Sequence, residues 1–345
     1  MGQGQKQCKT AGAHLLVPTS STDVSLPLRI HLKRRLHGVM LRTTAGRTRA
    51  PMCSLIAATF AASALSLLAA RPADAQQANP ASEIRRQVTG SFRFVDPGSN
   101  HPIAVWFCRT STAAPDTRIV FVMHGSDSQT ARQACDLAAP YIEPFNAIVL
   151  APQFAEEYFP GDAYMFGNMI DAAGNVLPKS AWALTAIERL FDMVRDEMGL
   201  QRTEYDIVGF SGGAQFVHRL ALFVPEARFR RAVAASAGRY AFPSWSEKFP
   251  YGLDGSPIDR NQLPKAFSRD LVVLLADRDI TDREREPGSM AQGTTRFARG
   301  LRFFATATDE AAVLGVPLRW QLRIVPGVDH SPVPMVRAAL ELLRQ

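Results

Sequence analysis

Short apolar runs alternate with segments of helical periodicity from residue 88 to the end of the chain. Six of these runs predict β-strands. Two of them, 118–125 and 147–154, are almost continuously apolar, as expected of strands covered on both faces. The six runs are 118–125, 147–154, 205–210, 230–238, 271–276 and 320–326. Two earlier runs rich in aromatic and β-branched residues, 91–95 and 103–108, also predict strands.

Segments with helical spacing separate these strands. The clearest is 180–199, in which apolar residues recur at intervals of three and four after Ser180, a residue type that caps helices. The same periodicity appears in 130–142, 214–224 and 334–344. Strands alternating with helices predict an α/β fold, with a mostly parallel eight-stranded sheet and helices on both faces. The short turn between the first two strands predicts an antiparallel edge.

The alternation fits one domain over 88–345, with insertions near 153–180 and 237–268. A chain of 345 residues, 46% of them hydrophobic, is long enough for one large core. The net charge of +7 first suggests a nucleic-acid partner. However, the first 75 residues contain ten Lys or Arg and two Asp, so the rest holds 29 basic and 30 acidic residues. A near-neutral domain without a long basic run argues against nucleic-acid binding.

An uncharged stretch rich in Ala and Leu, residues 54–70, lies in this basic N-terminal part. Three arginines precede it and Ala73-Asp74-Ala75 follows it, which is the pattern of a secretory signal peptide with its cleavage site. Cleavage near Ala75 predicts a periplasmic or secreted chain from Gln76, with no stable membrane anchor. The alternative is an uncleaved anchor helix, for which the stretch is short.

The position of this stretch is unusual, because export signals begin close to the initiator methionine and more than fifty residues precede it here. Translation from Met40, or else from Met52, would give a leader of ordinary length. We therefore expect residues 1–39 to be untranslated or disordered. The signal peptide would then be 40–75, followed by a short linker, 76–87.

Two of the four cysteines, Cys108 and Cys135, remain after the predicted cleavage. Exported proteins keep disulfides, and one bridge here would tie the end of a strand to the next helix. The alternative is a pair of buried thiols, because free cysteine is commonly buried. The residues alone leave both interpretations open.

The segment Gly209-Phe210-Ser211-Gly212-Gly213 has the pattern G-x-S-x-G, between a predicted strand and a predicted helix. Such a sharp turn exposes the serine at the carboxyl end of the strand, and glycines give room for the close approach of strand and helix. The N-terminus of the following helix adds the positive end of its dipole. Ser211 is therefore the candidate nucleophile. The alternative is a glycine-rich turn with a capping serine.

A serine nucleophile needs a base, and His330 is the candidate. Three histidines lie before residue 40, outside the mature chain, and His101 precedes a strand at the opposite end of the sheet. His124 ends the strand before the first helix, and His218 lies two turns along the helix after Ser211. His330 follows the last predicted strand, where its ring can reach the nucleophile.

The base needs an acid that orients it, and the strand 271–276 ends in suitable residues. Asp279 is favoured over Asp277, because the first residue past a strand is often still committed to the sheet. Asp282 follows soon after, and Asp329 would have to fold back on its neighbour in sequence. The order Ser, Asp, His along the chain is that of the α/β-hydrolase fold.

An acyl-transfer site also needs two donors for the developing oxyanion. The N–H of Gly212, which follows the nucleophile, is the first candidate. The second is the N–H of Ser126, in the turn His124-Gly125-Ser126 after the strand 118–125. Because the donor is a backbone group, we expect the conformation of Gly125 to matter more than the side chain of Ser126.

The segments VMHG, GFSGGAQF, LADRD and VPGVDHS occur in the order found in α/β-hydrolases. The region 88–345 resembles the bacterial secreted esterases related to poly(3-hydroxybutyrate) depolymerases and feruloyl esterases. The resemblance implies hydrolysis of a small or oligomeric ester, such as a hydroxyalkanoate or an aromatic acyl ester, through an acyl-enzyme and without metal or organic cofactor. The alternatives are a serine peptidase or amidase with the same triad, and a non-catalytic binding protein on this scaffold. Oligomeric state is not indicated.

Aromatic residues are concentrated in the two insertions, both of which follow strands at the expected active end. They could form the wall of an apolar substrate pocket. The candidates are Tyr158, Phe159, Tyr164, Tyr240 and Trp245. The alternative is that these aromatic residues pack the insertions onto the sheet.

Overall fold

The computed structural model describes residues 82–281 and 286–345. The predicted signal peptide, both candidate start sites and the alternative acid Asp282 lie outside these residues. Within them, no helix combines the length and the apolar character needed to cross a membrane.

One sheet of eight strands carries the fold. The strands are β1 Thr89–Val95, β2 Pro102–Arg109, β3 Arg118–Met123, β4 Ala147–Gln153, β5 Tyr205–Phe210, β6 Phe229–Ala235, β7 Leu271–Ala276 and β8 Gln321–Val325. The α-helices of the described residues are α1 Ser82–Arg86, α2 Ala134–Phe145, α3 Ala183–Met198, α4 Gly212–Phe223, α5 Leu263–Phe267, α6 Pro287–Gln292, α7 Arg296–Leu314 and α8 Pro332–Glu341. Short 3-10 helices occur at Ser128–Gln133, Lys179–Ala181, Arg260–Gln262 and Leu342–Arg344.

The strands are arranged in the order β1-β2-β4-β3-β5-β6-β7-β8. β2 is antiparallel to β1 and β4, and every other neighbouring pair is parallel. The predicted α/β fold with an antiparallel edge is therefore confirmed. The parallel strands place their carboxyl ends at one edge, which is where open α/β sheets bind ligands.

Two apolar layers cover the two faces of the sheet. Ile119 and Phe121 of β3 belong to the layer that contains residues of α3, α4 and α7, whereas Val120 and Val122 belong to the layer formed with α2 and α8. This alternation follows from the two-residue period of a strand. Burial on both sides explains why the central strands are continuously apolar in sequence.

The structure differs from the helix predictions at α3 and at α7. α3 begins at Ala183, and Ser180 does not cap it, because Ser180 lies in the separate 3-10 helix Lys179–Ala181. α7 has no counterpart among the predicted helices. Its buried positions include Arg299 and Gly300, which interrupt the apolar periodicity. A glycine is needed at position 300, since a β-carbon there would lie 2.3 Å from the Leu275 Cδ2 atom.

Cys108 of β2 and Cys135 of α2 are joined by a disulfide, with their Cα atoms 5.8 Å apart. The bridge links the antiparallel part of the sheet to the helix that follows the turn at Ser126. Of the two interpretations that the sequence left open, the structure has the bonded one.

Candidate active site

Ser211 lies on the tight turn between β5 and α4. Its backbone has φ 55° and ψ −113°, a strained conformation for a residue with a side chain. The turn requires glycine on both sides of the serine. A β-carbon at Gly209 would lie 2.3 Å from the Gly213 carbonyl oxygen, and one at Gly213 would lie 2.4 Å from the Met123 carbonyl oxygen. The G-x-S-x-G pattern thus reflects three backbone segments in close contact.

His330 lies in the loop between β8 and α8 and contacts both Ser211 and Asp279. Its Nε2 atom is 3.0 Å from Ser211 Oγ, and its Nδ1 atom is 2.7 Å from Asp279 Oδ2. When Nδ1 carries the proton, its N–H donates a hydrogen bond to the Asp279 carboxylate. The unprotonated Nε2 can then accept a hydrogen bond from the Ser211 hydroxyl. This is the arrangement that general-base activation of a serine needs.

Asp277, the alternative acid, has a different partner. Its Oδ1 atom accepts a hydrogen bond of 2.7 Å from the Gly327 N–H in the turn after β8. Asp279 is almost fully buried and additionally has Arg296 Nη1 at 3.5 Å from Oδ1. The geometry therefore places Asp279 at the histidine, whereas the Asp277 side chain binds the turn after β8.

The two candidate oxyanion donors belong to segments in contact. A β-carbon at Gly212 would lie 2.7 Å from the Ser126 nitrogen, so only glycine lets the two chains approach this closely. Among the hydrogen bonds of the described residues, none uses the N–H of Ser126 or Gly212. Both N–H groups are available to a substrate oxygen.

His124 fixes the turn that carries Ser126. Its Nδ1 donates to the Gly125 carbonyl oxygen at 2.7 Å, and its Nε2 accepts from the Phe154 N–H at 3.1 Å. The ring stacks on Tyr164 with centroids 4.0 Å apart, and the Tyr164 hydroxyl donates to the His124 carbonyl oxygen. Desolvation by burial lowers the pKa of His124 to about 4, so the ring is neutral at pH 7. Sequence reasoning excluded His124 as the base and missed this positioning role, which the position of His-Gly directly after a buried strand could have indicated.

Ser211 borders two cavities of opposite character. The first, the apolar cavity, has a volume of about 220 Å³ and is lined mainly by hydrophobic residues of β3, α2 and α8 together with Phe210. The second, the arginine cavity, has a volume of about 150 Å³ and is lined by Ser126, Met165, Ser211, Gly212, Gln215, Gly238, Arg239, Arg296 and Arg299. Sequence reasoning missed Gln215 and the three arginines, because they come from three separate segments of the chain.

The aromatic pocket predicted from the insertions is only partly present. Phe159 and Tyr164 line a further cavity of about 590 Å³ that also contacts Ser126. Tyr158 instead lines a groove beside β1 and β2, away from the nucleophile.

The structure also corrects the prediction for Tyr240 and Trp245. Tyr240 is fully buried and stacks on Phe303 of α7 with ring centroids 4.6 Å apart, so it belongs to the core. Trp245 is covered by the Arg260 guanidinium, 4.4 Å from its ring centroid. The helix that the sequence did not reveal, α7, provides the surface on which the insertion packs.

Within residues 82–281 and 286–345, no group of three or more His, Cys, Asp or Glu side chains is placed to hold a metal ion. The polar groups around Ser211 include the His–Asp pair, the two backbone donors, and the amide and guanidinium groups of the arginine cavity.

Two solved structures resemble this chain over most of its length. Poly(aspartic acid) hydrolase-1 from Sphingomonas sp. KT-1 is 35% identical, and the match covers 74% of this chain and 98% of that one with a TM-score of 0.72. LpqC, a poly(3-hydroxybutyrate) depolymerase from Bordetella parapertussis, is 29% identical, with 77% and 92% covered and a TM-score of 0.72. No protein-family model and no curated protein matches the chain.

Proposed function

The chain belongs to the α/β-hydrolase family of serine hydrolases, which includes esterases and depolymerases. On that premise we propose that it is an exported carboxylic-ester hydrolase with Ser211 as nucleophile. One observation carries the proposal. His330 lies between the Ser211 hydroxyl and the buried Asp279 carboxylate, at 3.0 Å and 2.7 Å. A protein that only binds its ligand would not need a base and an acid aligned with a serine hydroxyl.

The proposed reaction begins with attack of Ser211 Oγ on the ester carbonyl carbon. His330 Nε2 takes the hydroxyl proton, and Asp279 stabilises the imidazolium. Collapse of the tetrahedral intermediate breaks the bond to the alcohol oxygen, which receives the proton from His330. Water, deprotonated by the same imidazole, then attacks the acyl-enzyme and releases the acid and free Ser211.

The negative oxygen of the intermediate is stabilised by the N–H groups of Gly212 and Ser126. Each such donor contributes about 3 kcal/mol to transition-state stabilisation. The first turn of α4 adds its unpaired N–H groups and the positive end of the helix dipole. Because the Ser126 donor is a backbone group, replacement of its side chain by Ala retains it.

The apolar cavity fits the hydrophobic part of a small ester. Its lining residues include Val122, Leu137 and Val336, and its volume is about 220 Å³. LpqC, 29% identical over most of its length, is a poly(3-hydroxybutyrate) depolymerase. Both observations support short hydroxyalkanoate esters as substrates, and aromatic acyl esters are the second class to compare.

Amide hydrolysis by the same residues is the second candidate. It is favoured by the 35% identity to a poly(aspartic acid) hydrolase. Amides demand protonation of a poorer leaving group, but the roles of Ser211, His330 and Asp279 are the same. Comparison of p-nitrophenyl esters with peptide and aspartate-oligomer substrates distinguishes the two.

A fluorophosphonate probe tests for the activated serine. We expect the protein to be labelled at Ser211, located by peptide mass analysis, because only a serine with an adjacent base reacts. The His330→Ala variant should lose labelling while keeping the fold, and the exposed-site variant Arg86→Gln should keep it. Absence of labelling in the intact protein would favour a non-catalytic binding protein.

Export is the remaining part of the proposal. The disulfide between Cys108 and Cys135 supports it, since disulfides persist in oxidising compartments. N-terminal sequencing of the native protein from cell fractions tests both the compartment and the cleavage site near Ala75. A cytoplasmic protein that retains residues before Met40 would overturn both the export proposal and the start-site hypothesis.

A further inference from the structure

The arginine cavity contains a buried amide with unused hydrogen-bonding capacity. Gln215, one turn along α4 from Ser211, is 4% exposed, and its Oε1 atom has no hydrogen-bond partner among the described residues. Its Nε2 atom has only the Met165 sulfur at 3.4 Å, and a thioether is a weak acceptor. Leaving a buried polar group unpaired is unfavourable, so this amide is suited to a polar ligand.

A missing side chain keeps the space beside this amide open. A β-carbon at Gly238 would lie 3.3 Å from Gln215 Nε2 and 4.0 Å from Arg296 Nε. Glycine at this position therefore preserves a gap between an amide donor and a guanidinium group. The backbone at Gly238 does not have a positive φ, so its conformation does not require glycine. What glycine provides at this position is the open gap.

Arg239 borders the same cavity in a fixed position. Its guanidinium forms two hydrogen bonds to Asp162, of 2.9 and 2.6 Å, and lies over the Phe166 ring. The buried Arg219 covers the same ring at 4.7 Å. A side chain held in this way loses little entropy when it binds a ligand.

Three arginines, Arg239, Arg296 and Arg299, line the cavity beside the Gln215 amide. Arg239 is paired with Asp162, and Arg296 Nη1 lies 3.5 Å from Asp279 Oδ1. A guanidinium has five N–H donors, so an arginine that is paired with one carboxylate retains donors for a second acceptor.

We propose that the arginine cavity is a subsite for a carboxylate carried by the substrate. Guanidinium forks and an amide N–H are the donors that recognise a carboxylate. Because Ser126 and Ser211 also line the cavity, that carboxylate lies a few bonds from the scissile carbonyl. The preferred substrates are then monoesters or amides of dicarboxylic acids. This inference rests on the proposed function and narrows its substrate class.

Equilibrium binding tests the subsite without depending on turnover. The probes are monomethyl adipate, which is anionic at pH 7, and dimethyl adipate, which has the same chain and no charge. Titration calorimetry with the Ser211→Ala variant should give at least about tenfold tighter binding of the anionic ester, the gain expected of one charge-assisted hydrogen bond. Failure of hydrolysis would refute the proposed function and leave this result standing.

Three further variants in the Ser211→Ala background locate the effect. Arg239→Gln and Gly238→Ala should each remove most of the difference between the two esters, and Arg239→Lys should retain part of it. The matched control is Arg86→Gln, at an exposed arginine that pairs with Glu83, and it should leave the ratio unchanged. Thermal melting identifies any variant that fails to fold. Equal affinity for both esters, binding of neither, or a preference that survives both Arg239→Gln and Gly238→Ala would overturn the proposal.

Discussion

His330 connects residues that are far apart in the chain, 119 positions from Ser211 and 51 from Asp279. Its side chain is 26% exposed and its ring lies 4.6 Å from the Phe210 ring, whereas the Asp279 side chain is 1% exposed. A buried carboxylate on the Nδ1–H holds the imidazole in the tautomer that can accept a proton. The rate of acyl transfer should therefore depend on Asp279.

Replacement of Asp279 by Asn should lower kcat by about 10⁴-fold, because the amide no longer selects the correct tautomer. Asp277→Asn is the matched control. Its side-chain oxygen can still accept from the Gly327 N–H, so kcat should change by less than about tenfold. Steady-state kinetics on a p-nitrophenyl ester measures both. A larger loss in the Asp277 variant would reverse the assignment.

His124 predicts a dependence of stability on pH. Burial lowers its pKa to about 4 in the folded protein, whereas the unfolded pKa is about 6.5. Above pH 6.5 the His124 imidazole is neutral in both the folded and the unfolded protein, so the full free energy of unfolding is present. Between pH 6.5 and 4 the unfolded state binds the proton first, so the free energy of unfolding should fall by about 3 kcal/mol. Urea denaturation at a series of pH values measures this loss.

The fully buried His218, whose pKa burial also lowers, adds to the same pH window. The variant His124→Gln separates the two histidines, since it should reduce the slope of stability against pH without removing it. Carboxylates with lowered pKa values, such as Asp96 beside Arg189, reduce the free energy of unfolding only below about pH 4. An unchanged slope in His124→Gln would show that His124 does not titrate as proposed.

At the scale of elements, the site is formed where β5, α4 and the turn after β3 meet. The contact is between backbone atoms, which cannot move aside as a flexible side chain would. Gly213→Ala would put a β-carbon 2.4 Å from the Met123 carbonyl oxygen, whereas a β-carbon at Gly125 meets no atom within 4 Å.

We therefore expect Gly213→Ala to lower the free energy of unfolding by at least about 3 kcal/mol, the upper range for overpacking. Gly125→Ala should change it by less than about 1 kcal/mol. Chemical denaturation compares the two, and equal effects would contradict the close contact at α4.

The disulfide between β2 and α2 closes a loop of 27 residues in sequence. Such a loop restricts the unfolded chain, so Cys108→Ser with Cys135→Ser should lower stability by about 3 kcal/mol. The ester-hydrolysis rate of the folded double variant should change little, since neither cysteine lines a cavity at Ser211. Unchanged denaturation midpoints with and without reductant would contradict this expectation.

The elements that the sequence predicted best are those whose burial is complete. β5 and β7 agree with their predicted bounds, because continuous apolar runs between polar turns define them. α7 was missed because its buried face includes Arg299 and Gly300, whose fit depends on atoms distant in sequence. The same cause misplaced Tyr240, which packs on Phe303 of this helix.

At the scale of the whole molecule, the topology brings the three candidate side chains together. β5, β7 and β8 are parallel, so the residues after them, Ser211, Asp279 and His330, meet at one edge of the sheet. Strand-end position was therefore enough to predict them. The arginine cavity could not be predicted in this way, because α4, the loop after β6 and the start of α7 each contribute residues without a shared spacing.

The central claim is that Ser211 performs covalent catalysis, and turnover of the Ser211→Ala variant tests it most directly. With p-nitrophenyl butyrate as substrate, the account predicts a fall in kcat of about 10⁶-fold with an unchanged melting temperature. A folded Ser211→Ala variant that hydrolyses the ester within about tenfold of the wild-type rate would contradict it.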